Sequence, residues 1–162
     1  PLLEGCGRFL VHNVDIISDL DIRWMASQTR RDAMATLLVS DRVTSRYLLF
    51  DPDTMRLKGW TNVVTGEVRS PYPDLDVTQC RRLAFSGIHI MSDTVFAALE
   101  DFVSRQGLDP EHPRFPIMDF YLSACALYEI YGVEADGLHL VDVGKLDTLE
   151  IAEKEISRVS QN

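Results

Sequence analysis

Cysteine is scarce in this sequence. Cys6, Cys80 and Cys125 are odd in number and show no CxxC or other metal-ligand spacing. That pattern excludes a disulfide framework or a cysteine-built metal site and reads as reduced thiols in a cytoplasmic protein. Long apolar runs are also lacking. None approaches the roughly 20 residues that cross a bilayer, and nothing at the start reads as a signal peptide, so no membrane association is expected. Positive charge is in deficit, with 16 Lys and Arg against 25 Asp and Glu for a net charge of −9. A nucleic-acid binder needs a basic stripe to displace counterions from phosphate. Here basic residues come only in small pairs such as Arg30-Arg31 and Arg81-Arg82. Nucleic acid is therefore excluded as the main partner. A phosphate-bearing ligand would need a bound cation, or a basic segment outside this sequence, to balance its charge.

What is present is the material of one globular domain: 162 residues, 46% apolar and 25% charged, without repeats or low-complexity segments. The chain opens at Pro1 and soon enters an apolar run, which reads as a fragment. Arg8 to Asp15 (RFLVHNVD) predicts a strand, Asp19 to about Arg31 a capped helix, and Met34 to Val39 a second strand. Tyr47–Phe50 and Met55–Trp60 flank the turn-forming Asp51-Pro52-Asp53-Thr54 and predict a β-hairpin. The polar, Pro-rich stretch from Thr61 to Gln79 predicts a loop or flap. Arg82 to Met91 predicts a strand, followed by a helix capped by Ser92 and ended by Gly107. Pro116 opens a further helix expected to run almost to Gly132. Leu138 to Asp142 predicts a short strand, and the spacing of Leu146, Leu149, Ala152, Ile156 and Val159 predicts a last helix. Strands alternating with helices predict an α/β fold with a mostly parallel, Rossmann-like sheet flanked by helices, carrying the hairpin as an insertion.

Two aspartates, Asp15 and Asp142, each end an expected strand, and open α/β sheets place ligand sites beyond the carboxyl ends of their strands. Carboxylates converging there suit Mg²⁺, which favours one or two carboxylates with substrate phosphates and water. The alternative use is local, each aspartate capping the segment that follows it. Among the histidines, His89 lies on the same expected strand as Gly87 and is a candidate pocket residue, whereas His12, His112 and His139 show no ligand pattern.

Four segments share an order with a known family. Asn13-Val14-Asp15-Ile16 after an apolar strand, Phe85-Ser86-Gly87-Ile88-His89-Ile90, Ile117-Met118-Asp119-Phe120-Tyr121-Leu122, and Val141-Asp142-Val143-Gly144-Lys145 resemble, in sequence, four motifs of the sugar-1-phosphate nucleotidyltransferases. The resemblance is nearest to the branch acting on mannose 1-phosphate or N-acetylmuramate-1-phosphate-like substrates. It covers nearly the whole chain, residues 1–162, as the C-terminal portion of one such domain. It implies that Asp15 and Asp142 are the catalytic Mg²⁺ ligands. It further implies that Asn13 shapes the turn presenting Asp15 and that Gly87 lets the sugar approach the backbone. The family's Glu-Lys-Pro segment has no clear counterpart, and Lys58 and Asn62 occupy the comparable region as substrate-binding candidates. The family's glycine-rich loop, which grips the nucleoside triphosphate, is absent from this sequence, so the N-terminal nucleotide-binding part is expected to be missing.

The activity so implied is nucleotidyl transfer from a nucleoside triphosphate to a sugar 1-phosphate, giving a nucleoside-diphosphate sugar and pyrophosphate, with the fragment inactive on its own. Two rival readings come from other classes. One is a noncatalytic sugar-phosphate-binding module. The other is a glycosyltransferase of related fold using a D-x-D metal motif, for which Asp19-Leu20-Asp21 is the formal match, although it stands where a helix cap is expected. The strand over 8–15 carries few of the charges that protect an edge. If its N-terminal neighbour is missing, it is expected to pair with another chain (a second copy included), with a swapped segment, or with a separately retained N-terminal piece.

Overall fold

The computed structural model describes residue 3 and residues 5–143. The expected last helix, and Gly144 and Lys145 of the Asp142 motif, lie outside the described residues.

The organising element is β7 (Arg81–Ser92), a 12-residue strand that is buried over most of its length. On one side it pairs antiparallel with β3 (Ala35–Ser40), which in turn pairs parallel with β8 (Ile130–Glu134). Its other side is shared. β1 (Arg8–His12) lies antiparallel against Ile88 to Ser92, and β4 (Arg46–Phe50) lies antiparallel against Arg81 to Leu83. β5 (Leu57–Asn62) and β6 (Val68–Arg69) continue outward from β4 and complete a seven-stranded sheet. A separate ladder joins β2 (Ile16–Ser18) to β9 (Leu140–Asp142).

The fold is thus mixed α/β with a mostly antiparallel sheet, which corrects the expected mostly parallel, Rossmann-like one. Among the described residues only β3–β8 is parallel. The physical reason is local: hydrophobic periodicity reports which face a residue takes, not which way its strand runs. β7 runs backwards between β1 and β3, and β4–β5–β6 is a meander. One part of the expected geometry follows nonetheless. β1, β3 and β4 are each antiparallel to β7, and β8 is parallel to β3, so these four strands point the same way. The carboxyl ends of β1, β3 and β8 therefore share one end of the sheet.

Two apolar layers cover the sheet. On one face, α2 (Thr94–Gln106) and α3 (Ile117–Ala124) pack Val95, Ala98, Phe102, Phe120 and Tyr121 against Leu37, Val39 and Met91. Val95, Ala98 and Phe102 recur at the spacing of one helix face. On the other face, α1 (Ile22–Gln28) inserts Met25 against Leu38, Ile88 and Ile90. Asp21, not Asp19, caps α1, its carboxylate accepting from the backbone N–H groups of Arg23 and Trp24. Gly107 ends α2 in the left-handed region, with Leu108 N–H donating to Val103 and Gly107 N–H to Ser104. At the start of α2, Asp93 holds the cap position, while the Ser92 hydroxyl bonds that of Thr94.

Gly132 does not follow a helix, as the sequence reading expected. It lies inside β8, where a Cβ would stand 2.9 Å from a ring atom of Phe50. The 61–79 stretch is more ordered than a loop, containing β6 and a 3₁₀ turn at Val77–Gln79. No helix among the described residues is long and apolar enough to cross a membrane.

Candidate active site

The site grows from an irregularity in β7. Leu37 pairs with His89 and Val39 with Phe85, so three residues of β7, Ser86, Gly87 and Ile88, stand against the single residue Leu38. Such a bulge bends its strand and redirects local side chains. Gly87 sits in it with φ +77, a conformation L side chains avoid. The Gly87 carbonyl accepts the N–H of Asn13 at 2.9 Å, just past the end of β1. A Cβ on Gly87 would meet Asn13 Nδ2 at 3.0 Å and Ile16 Cγ1 at 3.1 Å. The missing side chain thus makes room for the Asn13 amide, and the two residues form one interlocked feature. Replacing Gly87 by Ala is expected to cost about 1–2 kcal/mol from backbone strain alone, with the Asn13 contact added. In a denaturation double-mutant cycle, Asn13→Ala should recover part of the Gly87→Ala loss but not the strain.

Beyond Asn13 the chain turns and enters β2, and here the segments that carry the two aspartates pair. Ile16 is the cross-strand partner of Asp142, and the Asp15 carbonyl accepts the N–H of Val143 at 2.8 Å. Residues separated by more than a hundred positions are thereby tied backbone to backbone beside the bulge. Asp15 lies in the turn that precedes β2, where strand alternation no longer dictates which face its side chain takes. The donors that Asp15 and Asp142 could offer are two hard carboxylates, and among the described residues no group of three or more His, Cys, Asp or Glu gathers as a metal cluster. Two carboxylates fit Mg²⁺, which completes its shell with water and substrate phosphate.

Lys58 and Asn62 lie elsewhere, on β5, with β4 standing between them and β7. The Lys58 ammonium sits over the Tyr72 ring at 4.9 Å and lines a cleft of about 430 Å³ with Asp51, Tyr72, Asp74, Asp76 and Cys80. Asn62 shapes the β5–β6 turn, its side-chain oxygen accepting from Val64 N–H at 3.0 Å while its carbonyl accepts from Gly66 N–H. The same pattern recurs in the β4–β5 turn, where Asp51 accepts from Thr54 and Met55 takes the positive φ that Gly66 takes in the other turn. The Thr54 hydroxyl holds the Asp51 carboxyl below the usual carboxylate range.

Asp19 and Asp21 are both engaged locally, Asp21 as the α1 cap and Asp19 as acceptor of the His139 N–H at 2.9 Å. They border a cleft of about 380 Å³ with Trp24, Asp136 and Leu138. His89 is not a surface pocket residue. It is 3% exposed, faces α3, and bonds the Tyr121 hydroxyl through Nδ1. Two features escaped the sequence reading: the β2–β9 ladder, too short to show periodicity, and the connection over 41–45, which leaves the end of β3 and steps across β7 to β4 at the level of the bulge.

Comparison with known proteins adds to this geometry. No protein-family model matches the sequence, and no curated protein matches it. Solved structures do. The inositol-1-phosphate CTP transferase from T. maritima superimposes with a TM-score of 0.64 at 11% identity, covering 96% of this chain and 57% of its own. A nucleoside-diphosphate-sugar pyrophosphorylase from Vibrio cholerae RC9 superimposes with a TM-score of 0.50 at 13% identity, with the same coverage. The protein therefore has the fold seen in these nucleotidyltransferases. It spans 57% of the length of each.

Proposed function

We propose that this chain is the sugar-phosphate and metal-binding portion of a nucleotidyltransferase that joins a sugar 1-phosphate to a nucleoside triphosphate, releasing pyrophosphate. The observation that carries this reading is the junction of Asn13, Asp15, Gly87 and Asp142, drawn from three distant segments to the β7 bulge and the β2–β9 ladder beside it. The shared fold supports it, and the sequence motifs favour the branch acting on mannose 1-phosphate or N-acetylmuramate-1-phosphate-like substrates.

The chemistry required is modest. A sugar 1-phosphate oxygen is already anionic near neutral pH and attacks the α-phosphorus in line as pyrophosphate leaves, so no general base is needed. The difficulty is repulsion between two anions, about 4 kcal/mol for two unit charges 4 Å apart at an effective dielectric of 20. Asp15 and Asp142 would hold Mg²⁺, which when bound supplies charge neutralisation to the phosphates. The chain's own contribution is positioning: the Gly87–Asn13 interlock sets the turn, and the Asp15–Val143 bond holds the two acidic segments together. The test is pyrophosphate release by a protein that joins this chain to a triphosphate-gripping segment. Release should require both Mg²⁺ and a sugar 1-phosphate. Phosphate binding without turnover under those conditions would favour the noncatalytic module.

Among the described residues β1 pairs only with β7, leaving its outer edge without a strand partner. That edge is proposed to take a further strand, from a second copy or from another chain. Light scattering of the 162-residue chain should show self-association that a proline at Leu10 disrupts, and a strictly monomeric chain would count against pairing between copies.

A further inference from the structure

The site described so far is acidic, and the ligand proposed for it is an anion. Two carboxylates and one divalent cation sum to zero, so a substrate phosphate near them would still lack compensating charge. The connection over 41–45 supplies a candidate. It crosses β7 because β3 and β4 lie on opposite sides of that strand, β3 ending opposite Ala84 and β4 pairing from Leu83 onward. Within it Arg42 is exposed, and its Nη2 donates to the Phe85 carbonyl at 3.0 Å. Phe85 lies two residues from Gly87, about 7 Å along a strand, and Gly87 holds Asn13. The crossing is braced by Thr44, whose N–H donates to the Tyr47 hydroxyl and whose own hydroxyl accepts from Arg46 N–H.

A guanidinium carries five N–H donors, and the Phe85 carbonyl engages one group of them. Arg56, Arg69, Arg81 and Arg105 each form an ion pair, with Glu129, Asp119, Glu134 and Asp101. Arg42 pairs with no carboxylate among the described residues. It is thus a tethered cation with open donors, held beside the bulge. We propose that Arg42 grips the phosphate of the acidic substrate, its planar fork matching two phosphate oxygens. This identity of the ligand rests on the transferase reading, whereas the anion site itself rests on the geometry.

The test is titration of the 162-residue chain with inorganic phosphate, following arginine Nε–Hε signals by NMR. The Arg42 signal should shift saturably. Arg42→Ala should weaken phosphate binding on the order of tenfold, and Arg42→Lys should keep part of the affinity because it retains charge without the fork. Arg114→Ala, on the α2–α3 connection, should change nothing. Unchanged affinity in Arg42→Ala, or an equal loss in Arg114→Ala, would overturn the proposal. The two readings fail separately. Arg42-dependent phosphate binding without any pyrophosphate release removes the transferase and leaves the anion site. Turnover that depends on Asp15 while Arg42→Ala binds phosphate normally removes Arg42 and leaves the transferase.

Discussion

Replacing Asp15 or Asp142 by Asn in the active assembly is expected to lower pyrophosphate release on the order of a hundredfold or more. Asparagine keeps the size and one oxygen of the side chain but loses the charge that makes a carboxylate a good Mg²⁺ ligand. The loss should fall mainly on kcat, because neutralising charge in the transition state is a differential effect rather than uniform binding. Backbone contacts at this point, including Val143 N–H to the Asp15 carbonyl, do not involve the replaced groups. Variants that keep the wild-type circular dichroism should also keep inorganic-phosphate binding at Arg42. Raising Mg²⁺ should recover part of the rate if the defect is metal affinity. Full turnover in both variants would remove the two aspartates from the chemistry.

Acid should destabilise this protein through one buried histidine. Burial pushes the His89 imidazole down from its usual 6.5 to about 4. With 3% exposure, the neutral ring bonds the Tyr121 hydroxyl through Nδ1, while its Nε2 has no partner among the described residues. The folded state therefore excludes a proton that the unfolded chain accepts near pH 6.5. Above that pH neither state is protonated and His89 costs nothing. As pH falls from 6.5 to about 4 the unfolded state binds a proton the folded state refuses, and stability is lost; below 4 both states bind it and the slope ends. The difference corresponds to roughly 3 kcal/mol. Carboxylates titrate in the same range, so the measurement is a comparison of denaturant midpoints between the wild type and His89→Leu/Tyr121→Phe, which replaces both polar partners with apolar groups. The wild type should lose roughly 3 kcal/mol more between pH 6.5 and pH 4. Parallel curves for the two proteins would show that His89 is not held neutral.

The hairpin at Asp51–Arg56 was legible because turn chemistry is local. Asp51 accepts from the backbone two and three residues on, whatever surrounds it. The helix ending at Gly107 was legible for the same reason. Strand direction was not: Arg81 to Ser92 has the same alternation whether it runs with β3 or against it. β8 was missed because Ile130 to Glu134 follows α3 with too short an interval for a change of period to show. Alternation with Gly87 on one expected strand makes His89 only a candidate pocket residue, and across the bulge the imidazole instead meets Tyr121 on α3.

Composition, apolar periodicity and turn residues determined by themselves the α/β mixture of elements and the hairpin around Asp51–Thr54. The sequence also singled out Asp15 and Asp142 as acidic residues ending expected strands, and Asn13 and Gly87 through the motif resemblance alone. Only the tertiary structure decided that Asn13 bonds Gly87 in the β7 bulge and that Asp15 is tied through its backbone to Val143, next to Asp142. It alone placed Lys58 and Asn62 on β5 beyond β4 and bonded Arg42 to the Phe85 carbonyl beside the bulge. The physical reason is that pairing between distant segments depends on hydrogen bonds made after the chain has folded back on itself. A sequence displays which residues prefer a strand or a turn, while Ile16 against Asp142 and three residues of β7 against Leu38 are choices of register that no local preference encodes.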